Sequence, residues 1–511
     1  MTTAAEQRLS NLGNLLPEDG RSDRVVITDL RVTGSPRAIT ANEFQDLIQA
    51  FALGLRERGI QQGQCVGFLA ANRWELLVGY LATMYMGGVA VPINYKLPAD
   101  VIEHIVEDAG IQLMFCDAEG RAALRPKLPV VDFDEDGGRA LQAFLVPGQL
   151  QPFSPEAKDL AEILYTSGST GMPKGVPLNH QGQLWALEKF LGTMVGSTGE
   201  RSLIVAPLYH MNGLFFSTIC AAGGIEIVMQ PRFDVVNYAE ALESYQCSQL
   251  SGVPTMFALV SGLGADVRRE AYPYVSRVAI GSAPLSDALS ASLKVLFPNA
   301  VFTNSYGSTE AGPAIFGPHP DGIERPRMSI GYPFDGVEWR LVGDESPVEG
   351  VLELRTGALT EGYLNRDDAT RETFVDGWYN TRDVMRRDGN GFFYFISRAD
   401  DMFVCGGENI YPSTVEELVQ SIDHVVDCVV VDAPDDIKGA VPVAFVVKEE
   451  GSPVDEDAIK QHCLSEGPAY AHPRRVVFKQ VLPVGGTHKI DRKRLAAEAR
   501  ELMIADGRAS A

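Results

Sequence analysis

Helical patterns alternate with short apolar runs through most of the chain. Residues 41–60 (ANEFQDLIQAFALGLRERGI) space their apolar positions as an amphipathic helix does, and Gly59 marks the end of that helix. The run CVGFLA at 65–70 has the length of a buried strand, and residues 235–254 repeat the order of helix and strand. Residues 277–297 predict a strand, a tight turn and a helix. This alternation predicts an α/β fold with layered sheets, in which ligands bind at strand ends.

The pattern changes near residue 330. Short alternating strands separated by turns rich in Gly and Asp (GVEWRLV, GVLELRT and GFFYFI) predict an antiparallel β subdomain over about 330–399. A last block contains two helical patterns, STVEELVQSI and DEDAIKQHCLS, and two apolar strands, VVDCVVVDA and VPVAFVVKEE. These predict a compact α+β domain. We place the boundary at Asp400, so that residues 1–399 form a large N-terminal domain and residues 400–511 a small C-terminal domain.

Composition and charge narrow the class of protein. Apolar residues make up 45% of the 511 residues and charged residues 22%, which is typical of a globular protein. The formal net charge of −23 disfavours a nucleic-acid partner, because phosphate backbones are bound by clustered Lys and Arg. The seven cysteines form no C-x-x-C pair, which argues against a disulfide framework and a zinc site and favours a reducing cytoplasm.

Targeting signals are not expected in this sequence. The first twenty residues lack a basic segment followed by an apolar run, so we expect no secretory signal. The uncharged stretch LLVGYLATMYMGGVAVPI (76–93) is interrupted by Gly87, Gly88 and Pro92. A buried helix followed by a buried strand explains that stretch better than a membrane span.

The stretch YTSGSTGMPKGV contains the residue types of a phosphate-binding loop. Gly168 and Gly171 let backbone N–H groups converge on an anion, and Lys174 adds a positive charge. The hydroxyl donors are Thr166, Ser167, Ser169 and Thr170. A flexible linker is the alternative, but linkers seldom follow a buried apolar run directly and end in a lysine. Phosphate binding is therefore the favoured interpretation.

The loop departs from the Walker A motif of nucleotide hydrolases. That motif is G-x-x-x-x-G-K-[ST]. Counted from Gly168, Pro173 stands where the motif needs its second glycine, and proline has no N–H to offer. Gly175 stands where the motif places its magnesium-binding hydroxyl. The sequence therefore predicts a phosphate loop of another kind.

Motifs along nearly the whole chain resemble those of the adenylate-forming superfamily of acyl-CoA synthetases, adenylation domains and luciferases. They occur in the family's order: YTSGSTGMPKG, APLYHMNGL (206–214), GSAPLS (281–286), NSYGSTEAG (304–312), WYNTRDV (378–384), SRADDMFVCGGENIYP (397–412) and GGTHKIDRKRL (485–495). Within the superfamily, TEAGP and RADDMFVCGGENIYP are most similar to the acyl- and aryl-CoA ligases, such as the 4-coumarate and 4-chlorobenzoate enzymes.

The resemblance implies an ATP-dependent carboxylic acid:CoA ligase. The acid attacks the α-phosphate of ATP and releases pyrophosphate, and the thiol of coenzyme A then displaces AMP from the acyl-adenylate. ATP, Mg²⁺, coenzyme A and a small-molecule acid are the implied ligands, and a homodimer is one option for the assembly. The acid is left open between aromatic and short or medium aliphatic. An enzyme that loads a free-standing carrier protein is the alternative, although no carrier domain follows Ala511, and a non-catalytic nucleotide-binding protein is a third option.

The resemblance also implies the residues that perform the first step. Lys489 would bridge the carboxylate and the α-phosphate, Thr309 would donate to that phosphate, and Glu310 would hold magnesium. Asp383 would accept both ribose hydroxyls, Arg398 would contact ribose or phosphate, and Tyr306 would present its ring to the adenine. The other residues implied for ATP and AMP are Ser282, Ala283, Pro284, Asn304, Ser305 and Gly307, in addition to those of the phosphate loop.

A different surface would serve the second step. In the family the small domain rotates about a hinge between the two half-reactions, and Asp400 occupies the hinge position here. Rotation would bring Gly406, Gly407 and Asn409 toward the site, where the glycines let a pantetheine arm pass close to the backbone.

The acyl pocket is implied around the segment HMNGLF. Its residues would be His210, Met211, Asn212, Phe215, Gly281 and Gly307. His210 could also be a core histidine or a metal ligand, but no second His or Cys lies at ligand spacing. The resemblance favours the wall of the acyl pocket, where the imidazole would lie near the carboxylate and could also take part in catalysis. Asn212 could bond a substituent of the acid or satisfy nearby backbone.

Two positions depart from the family pattern. Arg382 stands between Thr381 and Asp383 where the ribose motif has glycine, so it must accept a tight turn or change it. His488 stands before Lys489, again in place of glycine, and histidine tolerates a positive φ less well. Neither change removes a chemical group, so we expect an active enzyme.

Overall fold

The computed structural model describes most of the 511 residues. The residues outside the description are 1–8, 17–21, 33–34, 126–127, 136–137, 167–171, 194–198, 265–266, 282–284, 286, 344–346, 407, 486–489 and 510–511. The side chains of residues 139, 287, 288 and 409 are also outside it.

Helices and strands alternate in the described residues up to β13. The helices are α1 Ala41–Glu57, α2 Trp74–Tyr85, α3 Ala99–Asp108, α4 Ala118–Ala123, α5 Arg139–Phe144, α6 His180–Leu191, α7 Met211–Gly223, α8 Val235–Tyr245, α9 Pro254–Ser261, α10 Asp287–Leu296, α11 Asp367–Thr373, α12 Pro412–Gln420, α13 Glu456–Glu466 and α14 Arg492–Ala505. The strands are β1 Val25–Asp29, β2 Arg37–Thr40, β3 Cys65–Leu69, β4 Val89–Pro92, β5 Leu113–Cys116, β6 Val130–Asp132, β7 Leu160–Thr166, β8 Lys174–Asn179, β9 Arg201–Ile204, β10 Glu226–Met229, β11 Gln249–Gly252, β12 Arg277–Gly281, β13 Val301–Ser305, β14 Phe316–Gly317, β15 Tyr332–Pro333, β16 Glu338–Val342, β17 Glu349–Arg355, β18 Phe374–Val375, β19 Trp378–Arg387, β20 Phe393–Arg398, β21 Phe403–Cys405, β22 Glu408–Ile410, β23 Val425–Asp435, β24 Gly439–Lys448 and β25 Arg475–Lys479.

Two mixed, mostly parallel sheets form the large domain. A seven-stranded sheet has the order β13-β12-β11-β9-β10-β1-β2, and a six-stranded sheet has the order β6-β5-β3-β4-β7-β8. Only β2 and β8 run antiparallel to their neighbours in the described pairings of these sheets. The α/β prediction is confirmed, including α1 before β3, α8 before β11, and β12 before α10.

Three further sheets follow along the described part of the chain, of which the first is the two-stranded pair β14–β15. The strands β16, β17, β18, β19 and β20 form the predicted antiparallel sheet. The C-terminal sheet has the order β22-β21-β24-β23, with β25 on β24. Its core draws only on residues from Phe403 to Ala509, so this α+β unit buries its own apolar surface. Asp400 lies in the turn between β20 and β21, and its assignment as boundary and hinge stays a prediction.

The uncharged stretch at 76–93 is buried in the large domain. It forms all of α2 after Glu75 and all of β4, and both elements are fully buried. No helix in the described ranges combines the length and the apolar character that a membrane span requires. The prediction of a buried helix followed by a buried strand is confirmed.

A buried carboxyl group lies on the strand that leads into the phosphate loop. Glu162 of β7 is 2% exposed, and Tyr80 Oη of α2 donates to its Oε2 at 2.9 Å. Burial raises the pKa of Glu162 from 4.5 to about 7, and the hydrogen bond from Tyr80 opposes that rise. The folded state therefore prefers the protonated acid, and its stabilising contribution is complete below pH 4.5 and is lost as the pH rises through 7.

Replacing Glu162 with glutamine is expected to reduce the pH dependence of stability. The wild-type protein should lose about 3 kcal/mol from this group between mildly acidic and mildly alkaline pH, because one pKa unit corresponds to about 1.4 kcal/mol. The amide cannot ionise, so the thermal midpoint of Glu162→Gln should fall less with pH. Glu57→Gln, at an exposed position of α1, is the matched control. Parallel pH profiles for wild type and Glu162→Gln would contradict this account.

Candidate active site

The adenine motifs begin at the ends of two neighbouring parallel strands. Gly281 ends β12 and Ser305 ends β13, and the two residues are paired in register. A Cβ added at Gly281 would lie 2.8 Å from the carbonyl oxygen of Ser305, so this close approach requires glycine. Asn304 Nδ2 donates to the carbonyl of Met328 at 3.0 Å. Within the described residues, Ser305 Oγ is buried without a hydrogen-bond partner. Ser282, Ala283 and Pro284 lie outside the described residues.

Asp383 joins the predicted adenine and ribose residues. Tyr306 Oη donates to Oδ2 of Asp383, and Arg398 Nη1 lies 3.1 Å from Oδ1. The pairing of β19 with β20 places Asp383 opposite Arg398. Burial raises the pKa of Asp383, and the positive charge of Arg398 opposes that rise. Arg398 also donates from Nε to Asp400 at 3.1 Å, so the guanidinium links the predicted ribose carboxylate to the predicted hinge.

Two tyrosines hold Glu310. Tyr363 Oη donates to Oε1 at 2.9 Å and Tyr379 Oη donates to Oε2 at 3.3 Å. Burial raises the pKa of both tyrosines, and the negative charge of Glu310 raises it further, so both remain donors. Lys174 Nζ lies 4.1 Å from the centre of the Tyr363 ring. The structure therefore brings the predicted phosphate lysine and the predicted metal ligand to the same tyrosine.

Tyr363 and Tyr379 are site residues that the sequence analysis missed. Tyr379, Thr381 and Asp383 alternate along β19 and are all buried. Because side chains two residues apart share one face of a strand, the known Asp383 motif could have indicated Tyr379. Tyr363 precedes α11, in a segment outside every motif quoted above, and we find no sequence signal for it.

The phosphate loop closes a hairpin. Thr166 and Lys174 are the last pair of the antiparallel strands β7 and β8. Ser167, Gly168, Ser169 and Thr170 lie outside the described residues. In a Walker A site the loop leads into a helix, whose N-terminus binds the phosphates. Here the loop leads into β8, which supports the prediction of a different phosphate loop.

The residues around Glu310 fit a magnesium ion that is shared with a nucleotide. Each oxygen of Glu310 accepts one hydrogen bond and keeps a further lone pair for a hard cation. No group of three or more His, Cys, Asp or Glu residues in the described part of the chain could hold a metal ion. Magnesium commonly binds through one or two carboxylates plus substrate phosphates. Thr309 precedes Glu310 in the turn that the Ser308–Gly312 bridge closes.

Four of the predicted acyl-pocket residues, His210, Met211, Asn212 and Phe215, lie at the start of α7, which follows β9 in the chain. The ring of His210 lies 4.6 Å from that of Tyr209, centre to centre. Met211 and Asn212 are partly exposed in the first turn, and Asn212 Oδ1 is buried with no hydrogen-bond partner among the described residues. Phe215, one turn later, is buried and packs edge-on against Phe190 at 5.2 Å.

Glycine is also required at Gly307. A Cβ there would lie 2.8 Å from Cα of Pro313. Because Gly307 has no side chain, the turn after Tyr306 can lie close to the backbone of Pro313. Gly307 itself is exposed.

The residues predicted for the second step belong to the C-terminal sheet. Gly406 has φ of 61°, and its N–H donates to the carbonyl of Lys438 at 3.0 Å. It follows β21 in the hairpin with β22. Gly407, the side chain of Asn409, His488 and Lys489 lie outside the described residues. Their predicted roles therefore stay predictions.

Arg382 accepts the geometry of the glycine that it replaces. Its φ is 60°, in the left-handed region, and its N–H donates to Asn380 Oδ1 at 2.9 Å. A non-glycine residue is strained there by about 1 kcal/mol. The turn nevertheless keeps Asp383 in place, because Thr381 Oγ1 donates to the carbonyl of Leu352 at 2.8 Å. The expectation that the site survives the substitution agrees with this geometry.

Replacing Arg382 with glycine is expected to stabilise the protein by about 0.5–1 kcal/mol, because it relieves the left-handed strain. The substitution also removes the ion pair with Glu372, but that pair is exposed and contributes little. Arg382→Ala is the matched control, since it loses the same ion pair and keeps the strain. Thermal unfolding should rank glycine above wild type and alanine at or below it. Equal midpoints for the two variants would contradict the strain argument.

Comparison with known proteins assigns the family. The sequence model of the family described as AMP-binding enzyme matches residues 18–364 of this chain. The chain belongs to the AMP-binding enzyme family. The companion model, AMP-binding enzyme C-terminal domain, matches residues 414–489 of this AMP-binding enzyme.

Relatives and solved structures extend over nearly the whole AMP-binding enzyme. A feruloyl-CoA synthase of Amycolatopsis sp is 30% identical over 476 residues, covering 89% of this chain and 92% of that protein. A 2-succinylbenzoate–CoA ligase of Bacillus cereus (strain Q1) is 30% identical over 473 residues, covering 91% of this chain and 94% of that protein. The structure of ATP-bound MatB from Rhodopseudomonas palustris has a TM-score of 0.85 at 24% identity, and the match covers 96% of this chain and 99% of MatB. An anthranilate CoA ligase, AuaEII, also has a TM-score of 0.85, at 23% identity, covering 97% and 98%.

Proposed function

We propose that this AMP-binding enzyme is an ATP-dependent carboxylic acid:CoA ligase that acts through an acyl-adenylate. One observation carries the proposal: two groups of contacting side chains meet at β19. Tyr306, Asp383 and Arg398 form the first through a hydrogen bond and an ion pair. In the second, Tyr363 and Tyr379 donate to Glu310, and Lys174 lies over the ring of Tyr363. The first offers a carboxylate to ribose hydroxyls and the second offers positive charge and hard oxygens to phosphates. The printed names of the 30%-identical relatives, a CoA synthase and a CoA ligase, support the same reaction.

The first step needs the acid and ATP to be held in line. Asp383 orients the ribose, because each of its oxygens keeps a lone pair beyond the bonds from Tyr306 and Arg398. Lys174 and the phosphate loop neutralise the β- and γ-phosphates, Thr309 donates to the α-phosphate, and Lys489 bridges the attacking carboxylate and that phosphate. Magnesium held at Glu310 would supply further neutralisation of phosphate charge.

The second step transfers the acyl group from AMP to the thiol of coenzyme A. Rotation about Asp400 withdraws Lys489 and presents the turn at Gly406 and Gly407, along which the pantetheine arm reaches the acyl-adenylate. The thiol of coenzyme A attacks the acyl carbonyl beside His210, and AMP leaves with the electrons of the broken acyl–oxygen bond.

Aromatic acids are the first substrate class to test. Feruloyl and 2-succinylbenzoate, in the names of the relatives, are both aromatic acids. Phe215 of α7 contributes to an aromatic cluster with Phe190, beside the predicted pocket residues Met211 and Asn212. Short and medium aliphatic acids form the second panel.

A reducing cytoplasm is the proposed location, supported by the seven cysteines, all of which are free and buried.

The test is pyrophosphate release with both panels of acids, with and without coenzyme A. Turnover of pyrophosphate, AMP and an acyl-CoA is the expected result with at least one acid. If pyrophosphate is released but no acyl-CoA forms, and an added carrier protein then becomes acylated, the acceptor is a carrier protein and not coenzyme A. Binding of ATP without pyrophosphate release from any acid would contradict the proposed ligase.

A further inference from the structure

A buried asparagine holds the segment that leads to the proposed acyl pocket. Asn72 is 2% exposed; its Nδ2 donates to the carbonyl of Ala206 at 3.0 Å, and its Oδ1 accepts the N–H of Leu208 at 2.8 Å. These two backbone groups lie on either side of Pro207, and proline has no N–H of its own to pair. One side chain therefore satisfies a buried acceptor and a buried donor of the segment, as a neighbouring strand would.

Asn72 is itself fixed between the two large sheets. It follows β3 of the six-stranded sheet, and its N–H donates at 3.2 Å to the carbonyl of Pro231, which follows β10 of the seven-stranded sheet. The N–H of the preceding residue, Ala71, donates to Asp117 Oδ2 at 2.9 Å. Ala206 follows β9, the parallel neighbour of β10. Asn72 thus joins chain segments just beyond the carboxyl ends of strands in both sheets, where α/β proteins bind ligands.

The segment that Asn72 holds supports the start of α7. The carbonyl of Pro207 accepts the N–H of His210, the residue before α7, at 3.1 Å. A Cβ added at Gly213, in the first turn of α7, would lie 2.5 Å from the carbonyl oxygen of Pro207 and 2.6 Å from that of Ala206. The first turn of α7 therefore packs directly on this backbone. A shift of the backbone would move His210 with it.

The proposed nucleotide groups are held by other elements. Asp383 contacts Tyr306 and Arg398, and Glu310 accepts hydrogen bonds from two tyrosines. These contacts belong to β19, β20 and the segments around them, whereas Asn72 acts on the segment between β9 and α7. Loss of the Asn72 side chain should therefore disturb the place of the acid and not that of the nucleotide.

We propose that Asn72 is a positioning residue for the acid: by holding the backbone on both sides of Pro207, it sets the place of His210 and of the first turn of α7 in the acyl pocket. The inference rests on the proposed function, in which the acid binds beside His210. A displacement of about 1 Å in a reacting group can lower a rate by about 100-fold. Without these two hydrogen bonds the acid should be used less efficiently, while the affinity for ATP is retained.

The experiment measures adenylate formation by pyrophosphate release in the full-length enzyme, with the acid of the two panels that wild type turns over fastest. Asn72→Ala is expected to lower kcat/KM for the acid, at saturating ATP, by about 10- to 100-fold. The KM for ATP, at saturating acid, should stay nearly unchanged, because the nucleotide groups keep their own contacts. This split between the two substrates separates positioning of the acid from a general loss of structure.

Asn11 provides a matched control. It is 1% exposed, its Nδ2 donates to the carbonyl of Phe153 at 2.8 Å, and its Oδ1 accepts the N–H of Gly13 at 2.7 Å. Asn11→Ala therefore removes the same kinds of bond from an equally buried asparagine outside the proposed acyl pocket. It should lower the thermal midpoint without a selective loss in the use of the acid.

A second variant keeps the test valid if Asn72→Ala does not fold. Asn72→Asp keeps the size of the side chain and the acceptor for Leu208, but its carboxylate cannot donate to Ala206, so it should show the same selective loss. Thermal unfolding with ATP identifies the variants that fold.

Four results would overturn the positioning role. They are equal penalties for the acid and ATP, no loss in a folded Asn72 variant, the same selective loss in Asn11→Ala, and failure of both Asn72 variants to fold. Failure of the proposed function has a different signature, since the wild-type enzyme would then release no pyrophosphate with any acid, and the inference would fail with it.

Discussion

Replacing Lys489 with alanine is expected to lower the rate of acyl-adenylate formation by about 100- to 1000-fold. The ammonium would stabilise charge that develops between the carboxylate and the α-phosphate, and loss of one such donor costs about that factor in other enzymes. Thioester formation from preformed acyl-adenylate should stay nearly unchanged, because the proposed rotation withdraws Lys489 before the thiol attacks. Pyrophosphate exchange measures the first step, and acyl-CoA production from isolated adenylate measures the second.

The neighbouring basic residues provide the control for Lys489. Lys493 and Arg494 lie in the same sequence segment and are exposed on α14. Lys493→Ala should leave both half-reactions unchanged. If Lys489→Ala slowed both steps equally, or if Lys493→Ala slowed the first step as much, the assignment of Lys489 would be wrong.

Replacing Asp383 with asparagine is expected to raise the KM for ATP by about 10- to 100-fold. Hydrogen bonds to a charged group contribute about 1.5–3 kcal/mol each, and the amide has one acceptor oxygen in place of two. The substitution also removes the charge that holds Arg398 at 3.1 Å and one acceptor for Tyr306. The measurement is steady-state turnover over a range of ATP concentrations.

A nucleotide without ribose hydroxyls tests the cause. With 2′,3′-dideoxy-ATP, wild type and Asp383→Asn should have similar KM values, because neither can bond to absent hydroxyls. Asp388→Asn changes another carboxylate, which accepts from Tyr394 Oη at 2.9 Å next to β19, and serves as control. An equal penalty of Asp383→Asn with both nucleotides would contradict the ribose assignment.

Much of the fold follows from local patterns. The amphipathic spacing of residues 41–60 and the apolar run after it predicted α1 and β3, because α1 buries one face and β3 is buried along its whole length. The order of strands in the two large sheets could not be predicted in this way. It depends on contacts between distant segments, such as β1 against β10, for which a single sequence offers no local signal.

The residues of the candidate site also differ in how far the sequence could predict them. The family resemblance implied Asp383 and Glu310, and the residue types of the phosphate loop indicated Lys174. Neither signal indicated Tyr363, which contacts both Lys174 and Glu310 although it is far from each of them along the chain. Such a contact depends on three segments that meet only in the folded protein.

Arg382 shows how a departure from a motif can be resolved. Sequence alone could not decide whether an arginine would keep the turn of a glycine. Its φ of 60° answers the question, and the neighbouring bond from Thr381 explains why the turn persists. The strain is tolerated because β17 and β19 pair on both sides of it.

The acyl-adenylate itself is the central claim, and oxygen transfer tests it most directly. The enzyme is incubated with ATP, coenzyme A and a turned-over acid whose carboxylate is labelled with ¹⁸O, and the nucleotide product is analysed by mass spectrometry. Attack of the carboxylate on the α-phosphate followed by thiolysis predicts AMP that carries one ¹⁸O atom. Unlabelled AMP together with labelled inorganic phosphate or pyrophosphate would contradict the account.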